Sequence, residues 1–419
     1  MTSWGIAQLS HIDSAYGAAL ARALAPLRIP HFPKVLIGGF IWNLCRWALG
    51  FLGAYLVNDM TGSPRLVQLT GSFMWGPLLF AGLVGGALSD RMDRKKLVLS
   101  QFIILIPLTL VVALAVRTDT MTVWGVYVFM TIAGFGWIID MTGRRALVYD
   151  LVGFDQVNNA MALEMISSSF GLVLGTLIGG AVIGSMGLDA AYFAVALAMI
   201  VALAVLSTVP SPQAVGGTSG DARSFLRDVV DGFQALPLNR PLLSVLGITA
   251  LVNFFHFAYF PITQVIADQL GASPFRTGLL ASATGIGMML GSLFVLIARP
   301  PRGRTYTAGA IAGFVIVVGF ALFDSYLLAF GSLLVASFFI GWFGANQAAL
   351  VMTVTDDAMR GRAMGLLSMA IGTLPIGMYL LGELAERVGA STAVVVFNMV
   401  GLALAVAWIV RRPEVLAER

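Results

Sequence analysis

Apolar runs long enough to cross a membrane recur along the whole chain of 419 residues. An α-helix needs about 20 apolar residues to cross the hydrocarbon core of a bilayer. The pattern therefore predicts an all-α polytopic membrane protein with twelve transmembrane helices. The predicted spans are 33–57, 66–88, 97–117, 122–141, 159–185, 189–209, 241–267, 275–298, 307–323, 327–349, 362–382 and 390–410.

The distribution of lysine and arginine orients these spans. With the N-terminus inside, 20 of the 25 basic residues fall on the cytoplasmic side, and Arg46 lies within a span. Only four, namely Arg65, Arg117, Arg276 and Arg387, fall on the outer side. Because cytoplasmic loops are enriched in basic residues, both termini are predicted to be cytoplasmic.

The longest polar stretch, 210–240, divides the spans six and six. It predicts two pseudo-symmetric six-helix bundles, 33–209 and 241–410, joined by a cytoplasmic linker. Residues 411–419 form a cytoplasmic tail. Residues 1–32 have an apolar and a polar helical face, which fits either an interfacial amphipathic helix or a partly ordered tail.

Composition excludes several classes of protein. The chain is 58% hydrophobic and 11% charged, whereas soluble domains are about 25% charged. A cytosolic enzyme and a nucleic-acid-binding protein are therefore excluded, and the bilayer is the expected surrounding. The absence of a Walker loop means that ATP does not drive the protein directly. One cysteine, Cys45, and three histidines give no metal-ligand spacing, so no metal or cofactor is predicted. As a separate expectation, the chain acts as a monomer.

An internal repeat indicates which polar residues lie deep in the membrane. A shift of 210 residues aligns Asn43 with Asn253, Arg46 with His256, and Ser63-Pro64 with Ser273-Pro274. Ionisable residues at such depth are costly and usually face a cavity or a partner. Arg46 and His256 are therefore interpreted either as lining a central pathway or as structural groups satisfied within their own bundles.

Glu164 is the third deep ionisable residue, and it lies one and a half turns into span 5. A carboxyl group with apolar neighbours can exchange protons, which makes Glu164 a candidate for proton coupling together with Arg46 and His256. The alternative is a structural ion pair, or a carboxylate stabilised by the start of the helix. Asp140 precedes Arg144 by four residues, so the two can pair along one helix as a structural or gating element.

The loop after span 2 carries the clearest motif. Its sequence, Gly86-Ala-Leu-Ser-Asp90-Arg91-Met-Asp93-Arg94-Lys-Lys, resembles the G-x-L-a-D-R-x-G-R-K signature of the major facilitator superfamily. Asp93 stands where the signature has its second glycine. The resemblance implies the twelve-helix fold and transport by alternating access. It also implies that this loop, through Gly86, Asp90, Arg91 and Arg94, latches the outward-open state.

Further residues resemble one branch of that superfamily. Asp140 to Arg144, followed by Asp150 and Asn159, looks like the D-x-P-x-R … L-V … N-A pattern of macrolide-efflux and enterobactin-exporter-like drug/proton antiporters. The span-5 glycines resemble the antiporter glycine motif, with Thr176 in place of its proline. Close helix packing also explains such glycines. They are Gly171, Gly175, Gly179 and Gly180.

The resemblance implies that spans 1, 4, 7 and 10 line a central site. The candidate substrate-binding residues are Trp42, Asn43, Arg46, Asn253, Phe254, His256, Tyr259, Asn346 and Gln347. Such a lining suits a mid-sized amphipathic molecule, with Arg46 available to an anionic group. The leading hypothesis is a proton-coupled exporter of a drug or siderophore-like metabolite in the bacterial inner membrane. One alternative is an importer or facilitator of a siderophore or other nutrient. Another is a receptor or lipid-handling protein that uses its N-terminal helix.

Overall fold

The computed structural model describes residues 24–80, 93–211, 239–356 and 359–418, and these ranges form helices without a strand. Eleven helices in them are long and apolar enough to cross a membrane. A further helix, α2, ends at Trp75 and continues as a 3₁₀ turn to Phe80. The predicted all-α membrane fold is confirmed. In chain order the helices are α1 (Phe32–Thr61), α2 (Pro64–Trp75), α3 (Arg94–Arg117), α4 (Val123–Val157), α5 (Asn159–Met186), α6 (Leu188–Ser207), α7 (Arg240–Gln269), α8 (Pro274–Ala298), α9 (Arg302–Leu322), α10 (Tyr326–Thr353), α11 (Arg360–Val388) and α12 (Ala390–Arg411).

Three predicted features fall wholly or largely outside the described residues. They are the N-terminal amphipathic helix, the motif loop with Gly86, Asp90 and Arg91, and most of the linker 210–240. The domain boundaries at those places remain predictions.

The repeated Ser-Pro pairs start equivalent helices in the two halves. Ser63 accepts a hydrogen bond from the backbone N–H of Leu66 (3.4 Å), and Ser273 accepts one from Arg276 (3.4 Å). The proline that follows each serine occupies the first helical turn, where its missing N–H costs nothing. The repeat therefore marks the outer starts of α2 and α8.

Helix α4 is longer than the predicted span 122–141. It continues to Val157, so Asp140 lies inside the helix instead of at its end. The helical path breaks at Gly153, whose φ of 70° lies in the left-handed region that favours glycine. This break leads the chain from α4 into α5.

Helix α7 is interrupted at the depth of the predicted site. The α-helix ends at Leu251, a π turn covers Val252–His256, a 3₁₀ turn covers Phe257–Tyr259, and the α-helix resumes at Thr263. Its counterpart α1 runs without a break. A π turn inserts an extra residue per turn and changes which face the following side chains occupy. The two helices therefore present aligned residues in different directions.

Side-chain hydrogen bonds tie the two halves together at the predicted outer end. Ser63 Oγ donates to Glu386 (2.7 Å), joining α11 to the start of α2. Gln68 Nε2 donates to the carbonyl of Ala258 (2.9 Å), and Gln264 Nε2 donates to the carbonyl of Phe51 (3.3 Å). We call these contacts between the halves the outer closure, after the predicted orientation of the chain.

Glycines of α5 allow this helix to approach α1 and α8 closely. A methyl group at Gly175 would overlap the backbone of α1 at Leu44, and one at Gly180 would overlap the backbone of α8 at Pro274. Small residues allow helix backbones to approach closely in a membrane. The α5 glycines thus pack this helix against α1 in its own half and against α8 across the interface.

We predict that Glu386→Ala opens the outer closure more often. The carboxylate of Glu386 accepts hydrogen bonds from Ser63 Oγ and from the backbone N–H of Arg65. Loss of a charge-assisted hydrogen bond costs roughly 1.5 kcal/mol, or about tenfold in an equilibrium. The measurement uses a cysteine substituted for Ala281, which lies between the halves, in a Cys45→Ala background. This cysteine should react with an impermeant maleimide added outside about 3–10 times faster in Glu386→Ala than in the parent.

Glu383→Ala is the matched control. Glu383 lies 4.0 Å from Arg65, which is 45% exposed, and such surface pairs contribute little. In Glu383→Ala, the cysteine at position 281 should be labelled at a rate within about twofold of the parent rate. Equal acceleration in both variants, or none in Glu386→Ala, would contradict the assignment of Glu386 to the closure.

Candidate functional site

A cavity of about 540 Å³ lies on the predicted cytoplasmic side of the outer closure. Helices α1, α4 and α5 form most of its wall, and Gly285 and Met288 of α8 complete it from the other half. The remaining lining residues are Asn43, Arg46, Trp47, Trp137, Asp140, Met141, Arg144, Arg145, Met161, Glu164, Met165, Ser168, Ser169 and Leu172. Methionine side chains adapt to irregular apolar partners, so this wall suits a bulky ligand.

Arg46 stands at the top of this cavity and is only 5% exposed. Its guanidinium lies 4.6 Å from the ring centroid of Trp47 and 4.8 Å from that of Trp137. No carboxylate of the described residues lies within ion-pair distance of it, and its Nε has no hydrogen-bond acceptor. Two indole faces therefore hold Arg46 by cation–π contacts and leave its charge available.

Arg144 is also buried, but carboxylates hold it. Its Nε and Nη2 donate to both oxygens of Asp140 at 2.8–3.0 Å, and Nη1 forms an ion pair with Glu164 of α5. Asp140 also accepts a hydrogen bond from Gln101 of α3 (3.2 Å). The Asp140–Arg144 pair is present as the spacing indicated, and Glu164 joins it. We call Asp140, Arg144 and Glu164 the carboxylate–arginine cluster.

Gly39 of α1 makes room for this cluster. A methyl group at Gly39 would overlap Nη1 of Arg144. Since Arg144 belongs to α4 and Glu164 to α5, the cluster fixes three helices of the N-terminal half relative to one another.

A second, smaller cavity of about 80 Å³ lies beyond Arg46, between the halves. Arg46, Trp47 and Leu172 line both cavities. Aromatic rings dominate the boundary: Trp75 lies 5.9 Å from Trp47 and 4.7 Å from Trp137, between ring centroids. Phe260 of α7 contacts Trp47 from the other half at 6.3 Å. An aromatic group that moved past Arg46 would therefore enter a box of indole and phenyl rings.

The structure places several predicted lining residues away from both cavities. His256 contacts Phe314 of α9 edge to face (5.7 Å), and Asn398 of α12 lies beside its ring. Asn253 donates to the carbonyl of Thr249 in its own helix (2.9 Å). The π turn explains the difference from α1, because it turns His256 into the C-terminal bundle, whereas Arg46 faces the cavity.

Three aromatic candidates pack inside their own bundles. Trp42 meets Phe102 of α3 edge to face (5.5 Å), and Phe254 stacks with Phe397 of α12 (5.9 Å). Tyr259 shares a hydrogen bond of 3.0 Å with Thr284. Thr284 itself lines the second, smaller cavity, so Tyr259 supports the wall of that cavity from behind.

The described candidate residues on α10 and in the motif loop line neither of these two cavities. Asn346 lines a separate cytoplasmic cavity, and Gln347 is half-buried on the same helix. Arg94 forms an ion pair with Asp150 and ties the start of α3 to the cytoplasmic end of α4. Asp93 accepts a hydrogen bond from the backbone of Lys96 (3.0 Å) and caps α3. A helix cap explains why aspartate is suitable where the signature has glycine.

Sequence reasoning missed the two indoles around Arg46. Trp47 is its neighbour in the chain, but Trp137 comes from α4, and only the packing of α4 against α1 brings it there. Arg145 lies beyond the end of the predicted span 122–141, yet it lines the cavity beside Arg144. With three arginines against Asp140 and Glu164, the ionised cavity carries one net positive charge.

Comparison with known proteins identifies the family. The sequence matches the Major Facilitator Superfamily over residues 35–374 and again over 246–418. The chain belongs to the major facilitator superfamily. It is therefore a multi-pass membrane carrier of small molecules and not an enzyme, as its sequence indicated.

Among curated members of the superfamily, enterobactin exporters are similar to this chain. The enterobactin exporter EntS of Shigella boydii serotype 4 is 27% identical over 358 residues, which covers 80% of each chain. The protein of the same name from Escherichia coli O81 is 26% identical over 358 residues, again 80% of each chain.

Solved transporters share the fold. A variant of the nucleoside transporter NupG superimposes with a TM-score of 0.74 at 16% identity, covering 91% of this chain and 99% of that one. A bacterial homologue of the human lysosomal transporter Spinster, inward-facing and unoccupied, superimposes with a TM-score of 0.73 at 15% identity, covering 93% and 98%. At these identities the likeness shows the fold alone.

We predict that Gly39→Ala destabilises the protein by disturbing the carboxylate–arginine cluster. The added methyl group must displace the Arg144 guanidinium or move α1, and overpacking of this kind costs about 1–3 kcal/mol. The free energy of unfolding, measured in detergent, should fall by that amount. Gly344→Ala on α10 is the control, because a methyl group there meets no atom within 4 Å. A loss of equal size in both variants would refute the specific role of Gly39.

Proposed function

We propose that the protein exports a mid-sized amphipathic anion with aromatic character, coupled to protons, by alternating access across the bacterial inner membrane. The observation that carries the proposal is Arg46, a buried arginine between Trp47 and Trp137 with no carboxylate partner among the described residues. An anionic group of the substrate would pair with Arg46. Its aromatic or apolar body would contact the indoles and the methionine wall.

The similarity to enterobactin exporters supports export and a siderophore-like cargo. The cavity of about 540 Å³ is large enough for a mid-sized ligand. In this proposal one copy of the chain is sufficient, because both halves of the cavity wall come from the same chain.

Glu164 is the proposed proton site. In its ionised form it pairs with Arg144, which packs against Gly39 of α1. A proton on Glu164 would remove this ion pair and leave Arg144 with Asp140 alone. The protonation state of Glu164 would thus alter how α5 is held against α1 and α4.

Two features favour the second candidate, an importer. A proton on Glu164 would raise the net positive charge of the cavity, so a proton and an anion would bind together more readily than either alone. Joint binding is the requirement of a symporter. Thr176 also stands where the antiporter motif has proline, and α5 is helical through this position because threonine keeps the backbone N–H that proline lacks.

We predict that Arg46→Gln abolishes selection for anionic ligands. The test compares aromatic carboxylic acids with their uncharged amides by ligand-induced thermal shift of the purified protein. A hydrogen-bonded charge pair contributes about 1.5–3 kcal/mol, or about 10–100-fold in affinity. The parent should bind the acids more tightly by that factor, and Arg46→Gln should bind acids and amides alike.

Arg145→Gln is the matched control for Arg46, because it removes the same charge from the same cavity but from an exposed side chain. It should reduce acid binding by less than about fivefold, since exposed charge pairs contribute little. Equal losses in the two variants would show that the net charge of the cavity selects the ligand, and not Arg46 in particular.

We predict that Glu164→Gln uncouples transport from the proton gradient. The assay uses inverted vesicles, whose lumen corresponds to the outer side, loaded at acidic pH and given the best ligand from the thermal-shift series. An antiporter should accumulate the ligand in the parent vesicles. Glu164→Gln should retain ligand binding but show the same flux with and without the gradient.

Glu383→Gln serves as the control here, since Glu383 lies at the outer end of α11, away from the cavity. Its gradient-driven flux should match the parent. Accumulation in vesicles with an alkaline lumen would show that proton and ligand move in the same direction, which would replace the antiporter by a symporter. Unchanged coupling in Glu164→Gln would exclude Glu164 as the proton site.

A further inference from the structure

A separate cavity of about 990 Å³ lies at the predicted cytoplasmic ends of α8 and α10, and it shares no lining residue with the cavity below Arg46. Its wall comes from the last turn of α8, the loop to α9, α10 and the C-terminal residues. The lining residues are Val295, Leu296, Arg299, Pro300, Pro301, Arg302, Arg304, Ala345, Asn346, Ala349, Leu416, Ala417 and Glu418.

Three arginines give this cavity an excess of positive charge. Arg299, Arg302 and Arg304 are exposed, and none lies within 4.0 Å of a carboxylate of the described residues. Glu418 is the one acidic residue among the described residues that line the wall. The arginine charges are therefore directed at a space large enough for a ligand and are not consumed by internal ion pairs.

The backbone that carries these arginines is held in place. Arg299 adopts a left-handed φ of 46° and caps α8 through its N–H, which donates to the carbonyl of Val295 (3.0 Å). Two prolines follow, and α9 begins at Arg302. The N–H of Gly303 donates to the carbonyl of Glu418 (3.1 Å). Because the backbone is already ordered, binding an anion here costs little additional entropy.

Apolar side chains of α8 continue from this charged cavity toward the bilayer. Leu296 lines the cavity and is 68% exposed, and the neighbouring Ile297 is 73% exposed. Both belong to a helix that is long and apolar enough to cross a membrane, so their exposed surface is available to acyl chains. A ligand with an anionic head and apolar tails matches this junction, whereas a free anion would use only its polar side.

We propose that this cavity binds the phosphate headgroup of an anionic phospholipid from the cytoplasmic leaflet, with an acyl chain along Leu296 and Ile297. Basic pockets between helices at this membrane face suit such headgroups. General enrichment of cytoplasmic loops in arginine would place charge here. It would require neither a cavity nor the adjoining apolar surface.

The test is native mass spectrometry of the purified full chain in detergent, titrated with phosphatidylglycerol or with phosphatidylcholine of the same chains. The parent should retain phosphatidylglycerol in preference to phosphatidylcholine. Each basic residue near anionic lipid contributes roughly fivefold in affinity. The variant R299Q/R302Q/R304Q should therefore bind phosphatidylglycerol about 100-fold more weakly, and Arg302→Gln alone about fivefold more weakly.

The matched control is R28Q/K34Q/K96Q, which removes three exposed charges from the same membrane face in the N-terminal half. It should retain phosphatidylglycerol within about twofold of the parent. Equal loss in both triple variants, or no preference of the parent for phosphatidylglycerol, would overturn the site. Displacement of the lipid by an equal concentration of inorganic phosphate would show a free-anion site and overturn the assignment to lipid.

Discussion

A charge inside a bilayer must be paired or exposed to a polar cavity, and the N-terminal half is organised around this constraint at Arg144. An unpaired buried guanidinium would cost several kcal/mol. Asp140 and Glu164 supply the opposite charge, and Gly39 supplies the space. Because these residues come from α1, α4 and α5, satisfying one side chain fixes the relative positions of three helices.

Arg46 satisfies the same constraint in a different way. Its neighbours are two indoles instead of two carboxylates, so its burial is compensated without neutralising its charge. Asp140 is already occupied by Arg144 and Gln101. The cavity thus contains one arginine committed to structure and one available to a ligand, a distinction that depends on their partners and not on residue type.

The sequence predicts the parts of this arrangement that depend on composition and local spacing. The membrane-spanning helices and the Asp140–Arg144 pair follow from hydrophobic length and helical periodicity. The partner of Glu164 does not, because the chain turns at Gly153 before α5 packs beside α4. His256 shows the limit of the repeat: alignment places it opposite Arg46, but the π turn in α7 directs it into the bundle. Trp137 reaches Arg46 only through helix packing, which no spacing rule supplies.

Contacts within a half and contacts between halves differ in kind, and alternating access depends on that difference. The carboxylate–arginine cluster is charged, buried and confined to the N-terminal half, so separation of the halves does not have to break it. The outer closure instead uses the exposed contacts of Glu386 with Ser63 and Arg65, and single hydrogen bonds from Gln68 and Gln264 to backbone carbonyls. Glycine-mediated contacts such as Gly180 against Pro274 complete it. Each such hydrogen bond contributes only about 0.5–1.5 kcal/mol, since water replaces it when the halves separate. A closure built from several weak, replaceable contacts can open without unfolding either bundle, whereas one deep ion pair across the interface would lock it. The buried ion pairs of the N-terminal half lie where the motion does not have to break them, and the proposed ligand site lies where α8 meets that half.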